Sequence, residues 1–128
     1  MKKILLSTLF SLAVSFVAFA HSPADTITTS QAGNYLEKHI VLVGKMISYK
    51  ESFKEGNKTK RIFINVDKDY PNNPVQIVYF LDITEQTPDL SSYLNQKISV
   101  RGKLSEYRGK LELKINELSQ LQIISTKP

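Results

Sequence analysis

The stretch ISVRGKLSEYRGKLELKINELSQ, Ile98–Gln120, decides the fold. Apolar and polar residues alternate from Ile98 to Leu104, as in a strand with one buried face. Gly102 interrupts that alternation. A turn on Glu106-Tyr107-Arg108-Gly109 follows, and a second alternating strand returns, with Leu111, Leu113 and Ile115 on one face and Lys110, Glu112 and Lys114 on the other. The segment IVLVGKMISYKE, Ile40–Glu51, uses the same device: a β-rich run, then Gly44-Lys45, then more strand. A glycine inside a strand pattern marks a bend or bulge. Two such corners in one small domain imply an all-β chain rolled into a five-stranded barrel.

The rest of the chain fits that frame. Strands are expected at His39–Phe53, Lys60–Val66, Val75–Leu81, Lys97–Leu104 and Lys110–Asn116. A short run, Leu121–Ile124, is expected to pair back and close the barrel. Gly56-Asn57 supplies turn chemistry for a hairpin loop. The loop Asp67–Pro74 carries two prolines and cannot continue a central strand. Asp82–Leu94 breaks the β pattern and predicts a short helical turn, capped at Thr87 or Ser91. His21–Thr28 reads as a polar leader. Thr29 or Ser30 caps a short helix through Gln31–Glu37, which Gly33 and Asn34 weaken.

The N-terminus has the form of an export signal. Lys2 and Lys3 precede an apolar run from Ile4 to Phe19, and Ala18-Phe19-Ala20 offers small side chains before a cut at His21. Residues 1–20 are therefore expected to be removed, and the protein to be periplasmic or secreted. The apolar run is short for a membrane span, and with no cysteine in the chain there is no lipoprotein anchor. No stable membrane anchor is expected after cleavage. Taking 20 residues from 128 leaves 108, enough for one domain. Without Lys2 and Lys3 the 17 Lys and Arg become 15 against 12 Asp and Glu, a net charge of +3. This mild basicity admits a polyanionic partner without requiring one. The missing cysteines also exclude disulfides and thiolate zinc sites. The chain has no tryptophan, so any stacking surface must use tyrosine and phenylalanine.

Four pieces, Leu42–Ile47, Arg61–Val66, Ile98–Leu104 and Ser119–Ile123, together resemble the nucleic-acid-binding OB-fold of the tRNA/helicase type. The run FINVDKDYPNNPVQIVYF, Phe63–Phe80, is similar to exported bacterial members with an Asp-Tyr-Pro-Asn loop. Glu117-Leu118 stands where relatives often carry Ser-Pro. The resemblance implies a five-stranded OB-type Greek-key barrel with a short helical segment over 39–125, preceded by a leader at 21–38. It also implies a ligand lying across the strands Lys60–Val66 and Val75–Leu81, between the loops that flank them. On this chain that surface would offer the cations Lys50, Lys58, Lys60, Arg61, Arg108 and Lys110. Its aromatic members would be Tyr49, Phe63, Tyr79 and Tyr107.

Cations that track phosphates, beside rings that stack bases, suit single-stranded nucleic acid or a related polyanion. The same alternating Lys and Arg also suit a solvated sheet face. A protein partner on that face, in an envelope-stress or interaction role, is the alternative. A metal-dependent nuclease is the third. Asp67, Asp69, Asn72 and Asn73 set several oxygen donors in one loop, but without the glycine and glutamate positions of a calcium loop. No nucleophile elbow, paired-histidine zinc motif or phosphate loop occurs. The expectation is thus a non-catalytic binding module with no cofactor and no metal site.

Overall fold

A computed structural model describes residues 24–124. The expected signal peptide, 1–20, lies outside the described residues.

The bend expected at Gly44 is where strand β2 (His39–Ser52) exchanges one partner for another. Its first half, His39–Lys45, pairs antiparallel with β5 (Lys97–Tyr107). Its second half, Met46–Ser52, pairs antiparallel with β3 (Thr59–Val66). A register shift between Met46 and Ser48 marks a bulge at the changeover, which raises the local twist. A Cβ on Gly44 would stand 2.4 Å from Val66 Cγ1 and 2.9 Å from Asp67 Oδ1, so the close approach admits no side chain. At Gly102 a Cβ would meet the Lys114 carbonyl oxygen at 3.0 Å. Both glycines lie in one seam: Gly44 is opposite Ile98, and Gly102 is opposite Ile40.

The remaining pairings lead around from that seam. β3 is antiparallel to β4 (Val75–Asp82), β4 is parallel to β6 (Lys110–Ile115), and β6 is antiparallel to β5. The hydrogen-bonded order is β2-β3-β4-β6-β5, and β5 pairs again with β2. The β5–β6 hairpin turns on Arg108 and Gly109, both at positive φ (52° and 81°), which closes a two-residue loop between the paired Tyr107 and Lys110.

Among the described residues seven strands are present, where five and a short closing run were expected. β1 (Asp25–Thr28) runs parallel to the first half of β2, where the sequence reads as a polar leader. β7 (Leu121–Ile123) runs antiparallel to Ile98–Val100 of β5. The closing contact expected of Leu121–Ile124 is made instead by β2 with β5. The two added strands lie along β2 and β5 beyond the reach of β3 and β6. They cover backbone edges that would otherwise be open to pairing.

The core follows the alternation. Ile62, Ile64 and Val66 of β3, Ile77, Tyr79 and Leu81 of β4, and Ile98, Val100 and Leu104 of β5 all turn inward and are buried. Ile27 of β1 joins them. The linker after β4 forms only a 3-10 turn at Ser91–Tyr93, where the Ser91 N–H donates to Asp89 Oδ1 at 3.0 Å. Its contribution to the core is Leu90, which is fully buried. Burying a leucine stabilises by about 1.5–3 kcal/mol. The N-terminal helical turn is also 3-10, Thr29–Tyr35, and tucks Ala32 into the core. The Thr28 N–H donates to Gln31 Oε1 at 2.9 Å, so the turn starts one residue earlier than expected.

Gly44→Ala should lower stability by about 1–3 kcal/mol through overpacking against Val66. Gly33→Ala, with nothing within 4 Å of the added carbon, should leave it nearly unchanged. Urea unfolding of the two variants checks the contrast.

Candidate functional site

Residues paired across a sheet share a face, so the registers sort the outer surface into rows. One row joins Ser52, Arg61 and Phe80. The next joins Lys50, Phe63 and Val78, and a third joins Ser48, Asn65 and Gln76. Over β2 and β3 these rows form the floor of an open groove of about 510 Å³, to which the loop residues Asp69 and Tyr70 add a wall. Tyr49, Lys50 and Phe63 line it. The Arg61 guanidinium carbon lies 5.5 Å from the centroid of the Phe63 ring. That cation–π contact holds a positive charge beside an aromatic face.

A relay of polar contacts sets the wall. Ser48 Oγ donates to Asp69 Oδ1 at 2.6 Å, and buried Asn65 donates its amide to Ser48 Oγ at 2.9 Å. Asn65 Oδ1 accepts from Asn73 Nδ2 at 2.8 Å and from Gln76 Nε2 at 3.3 Å. Lys110 Nζ then donates to the side-chain and backbone oxygens of Asn73, both at 2.7 Å. Each buried amide in this relay has a partner, which avoids a cost of about 1–3 kcal/mol for each unsatisfied group. The network ties the Asp67–Pro74 loop to β2, β3 and β6 and fixes Tyr70, which is 67% exposed, at the rim.

The ten residues expected at a binding surface are not brought together as one set. Tyr49, Lys50 and Phe63 line the groove, and Arg61 flanks it. Tyr107 and Arg108 form the exposed tip of the β5–β6 hairpin, with the guanidinium 5.2 Å from the tyrosine ring centroid. Lys58 is exposed in the β2–β3 hairpin and does not line the groove. Lys60 falls on the opposite side of β3 from Arg61 and lines a separate hollow with Glu51, Phe53 and Ile83. Lys110 is half-buried and held by Asn73, so it anchors the wall rather than offering a free cation. Tyr79 is in the core, 5% exposed, because its register partner is the inward Ile62. Burial, chiefly, raises its phenol above the ordinary value. It offers no stacking face.

Sequence reasoning missed Tyr70, Asn65, Ser48 and Gln76. The alternation of β3 did place Asn65 outward, beside Phe63. Nothing local shows that a loop eight residues away would bury it.

The carboxylates of the oxygen-rich loop are engaged. Asp67 accepts from the Lys45 N–H at 2.9 Å and the Thr29 hydroxyl at 2.6 Å, while Asp69 accepts from Ser48 and from the Tyr70 N–H. Among the described residues no three His, Cys, Asp or Glu side chains converge as a metal site. No helix among them is long and apolar enough to cross a membrane.

No protein-family profile and no curated protein matches the chain. Solved structures do. The OB domain of Ta0387 from Thermoplasma acidophilum is 12% identical over 82% of this chain and 92% of its own, with a TM-score of 0.49. A Leishmania major chain assigned as an aspartyl-tRNA synthetase is 10% identical with a TM-score of 0.46; the match covers 90% of this chain but 23% of that one. The S. pombe Stn1–Ten1 complex contains a chain 14% identical over 86% of this one and 85% of its own, with a TM-score of 0.41. The chain resembles OB-fold domains, and its strand order stands on its own pairings independently of these likenesses.

The Ser48 hydroxyl, first, and the Tyr70 N–H hold the Asp69 carboxyl below its ordinary value of 3.8. Its anchoring is therefore complete above that value and is lost as the pH falls through the lowered one. An NMR titration should place the Asp69 midpoint below 3.8 and should move it upward in Ser48→Ala.

Proposed function

We propose that the chain is an OB-type five-strand barrel, extended by two edge strands, that binds single-stranded nucleic acid or a closely related polyanion in the β2–β3 groove without catalysing a reaction. The observation that carries this is Arg61, at the groove's flank, set against the ring of Phe63 on its floor, with Lys50 directly opposite Phe63 and Tyr70 at the rim. Bases would stack on Phe63 and Tyr70, and phosphates would follow Lys50 and Arg61. The groove is open along its length, as a flexible strand requires, and its polar wall is satisfied internally, so specificity would come from shape and stacking more than from base-edge hydrogen bonds. OB domains also bind proteins and glycans, so the fold alone does not choose the ligand; the cations beside Phe63 are what support nucleic acid over those.

The Lys2-Lys3 start, the apolar run to Phe19 and Ala18-Phe19-Ala20 support export as part of the proposal. The module would then meet nucleic acid in the periplasm or outside the cell.

Fluorescence anisotropy with a labelled oligothymidylate tests the reading. Binding should weaken steeply with salt. Phe63→Ala should reduce affinity by about 5- to 100-fold, the range expected for one lost stacking partner. Absence of binding to the wild-type chain at low salt would contradict it.

A further inference from the structure

The row that contains Phe63 does not stop at the groove. Val78 of β4 pairs with Lys114 of β6, Lys114 pairs with Lys103 of β5, and Lys103 pairs with His39 of β2. Lys50, Phe63, Val78, Lys114, Lys103 and His39 thus fall in one register row on the outward side of the sheet, with Val78 buried between the groove and the lysines. Lys114, Lys103 and His39 are exposed. Three strand spacings separate Phe63 from Lys103, about 14 Å. At the far end the row meets a second line of charge. β5 turns Lys97, Arg101 and Lys103 to the same side, and Lys45 of β2 is the direct partner of Lys97.

Such an arrangement is costly in isolation. Like charges directly opposite each other, as at Lys103–Lys114 and Lys45–Lys97, are destabilising in a sheet. Acidic relief is sparse. Glu37 reaches Lys103 at 3.4 Å in an exposed ion pair, a kind that contributes little. Glu112 is outward on β6 but pairs with Ser105 and Gln76, in the neighbouring row. Among the described residues, a run of cations that outnumbers the carboxylates facing it, in register with the Phe63 row of the groove, is what a bound polyanion would complete.

We propose that the binding tract extends beyond the groove, across β6 and onto the β2–β5 seam, where Lys114, Lys103 and Arg101 hold the phosphates of the same single strand. This rests on the nucleic-acid reading of the groove. It assigns the seam a role in binding that is chiefly electrostatic, because no Phe or Tyr is a register partner of these three cations. The ligand is accordingly a strand long enough to leave the groove and turn around the sheet.

The test uses the full chain with Arg101, Lys103 and Lys114 all changed to Gln, and two labelled probes, a five-nucleotide and a twenty-nucleotide oligothymidylate. All three substitutions are on exposed positions, and circular dichroism of the variant checks that the fold is retained. The long probe should bind the variant on the order of 10- to 100-fold more weakly at 0.1 M salt, and the slope of log K against log salt should fall by about 2, as expected when three cations no longer meet phosphates of a single strand. The short probe, confined to the groove, should bind both proteins alike. Equal binding of the long probe, with an unchanged slope, would overturn the extension and leave the groove standing. Equal weakening of both probes would also overturn it, since the cations would then act on the groove itself. If neither probe binds the wild-type chain, both readings fall, and sedimentation of that chain with phosphatidylserine vesicles would reassign the row to a membrane surface.

Discussion

One strand shared between two partners is the constraint on which the structure depends. β2 gives its first half to β5 and its second half to β3, and the changeover occurs over Gly44–Ser48. A strand can do this only if it coils sharply, and coiling brings its backbone against the next element. At Gly44 that element is the end of β3, where Val66 and Asp67 press to within a distance that excludes a side chain. Asp67, itself at φ 69°, then locks the corner: its carboxylate accepts from the Lys45 N–H, and its own N–H donates to the Lys45 carbonyl at 2.8 Å. The corner is thus closed by packing from one side and hydrogen bonds from the other.

The outer groove is a consequence of that corner. Because β2 turns there, its second half lies beside β3 at an angle set by the bulge, and the side chains of both strands face a common hollow. The polar relay from Asp69 through Ser48, Asn65 and Asn73 to Lys110 then fastens the following loop over the hollow's end. Core residues hold the inner side by burial alone, with no disulfide to assist. What the solvent-facing side presents is therefore a rigid floor with a tethered rim, a combination that favours preorganised binding.

Much of the architecture was legible in the sequence because its periodicity is clean. The strands Thr59–Val66 and Val75–Asp82 fall within one residue of their expected bounds, and both corner glycines mark real close approaches. β1 was less legible because a four-residue strand carries too little alternation and exists by pairing with a longer neighbour, whereas the short Leu121–Ile124 run does pair back, with β5, as β7. The site was readable only in part. Phe63 and Lys50 share the outward face and line the groove, whereas Tyr49, paired with inward Ile64, packs partly against the core although it borders the groove. Tyr79 and Lys60 lie off that face, because a nearly all-apolar strand hides which face is inward and a strand's end hides which side a lysine takes. The wall residues were invisible for a different reason: Asn65, Asn73 and Lys110 are brought together from separate parts of the chain by the fold itself.

The most direct measurement is amide hydrogen exchange along the β2–β5 seam. Leu42, Val100 and the neighbouring amides should exchange only through global unfolding, at the same free energy as the central amides of β3 and β4. Exchange in the seam through a separate, lower-energy opening, while β3 and β4 stay protected, would show that the ring of strands does not depend on this corner and would contradict the account.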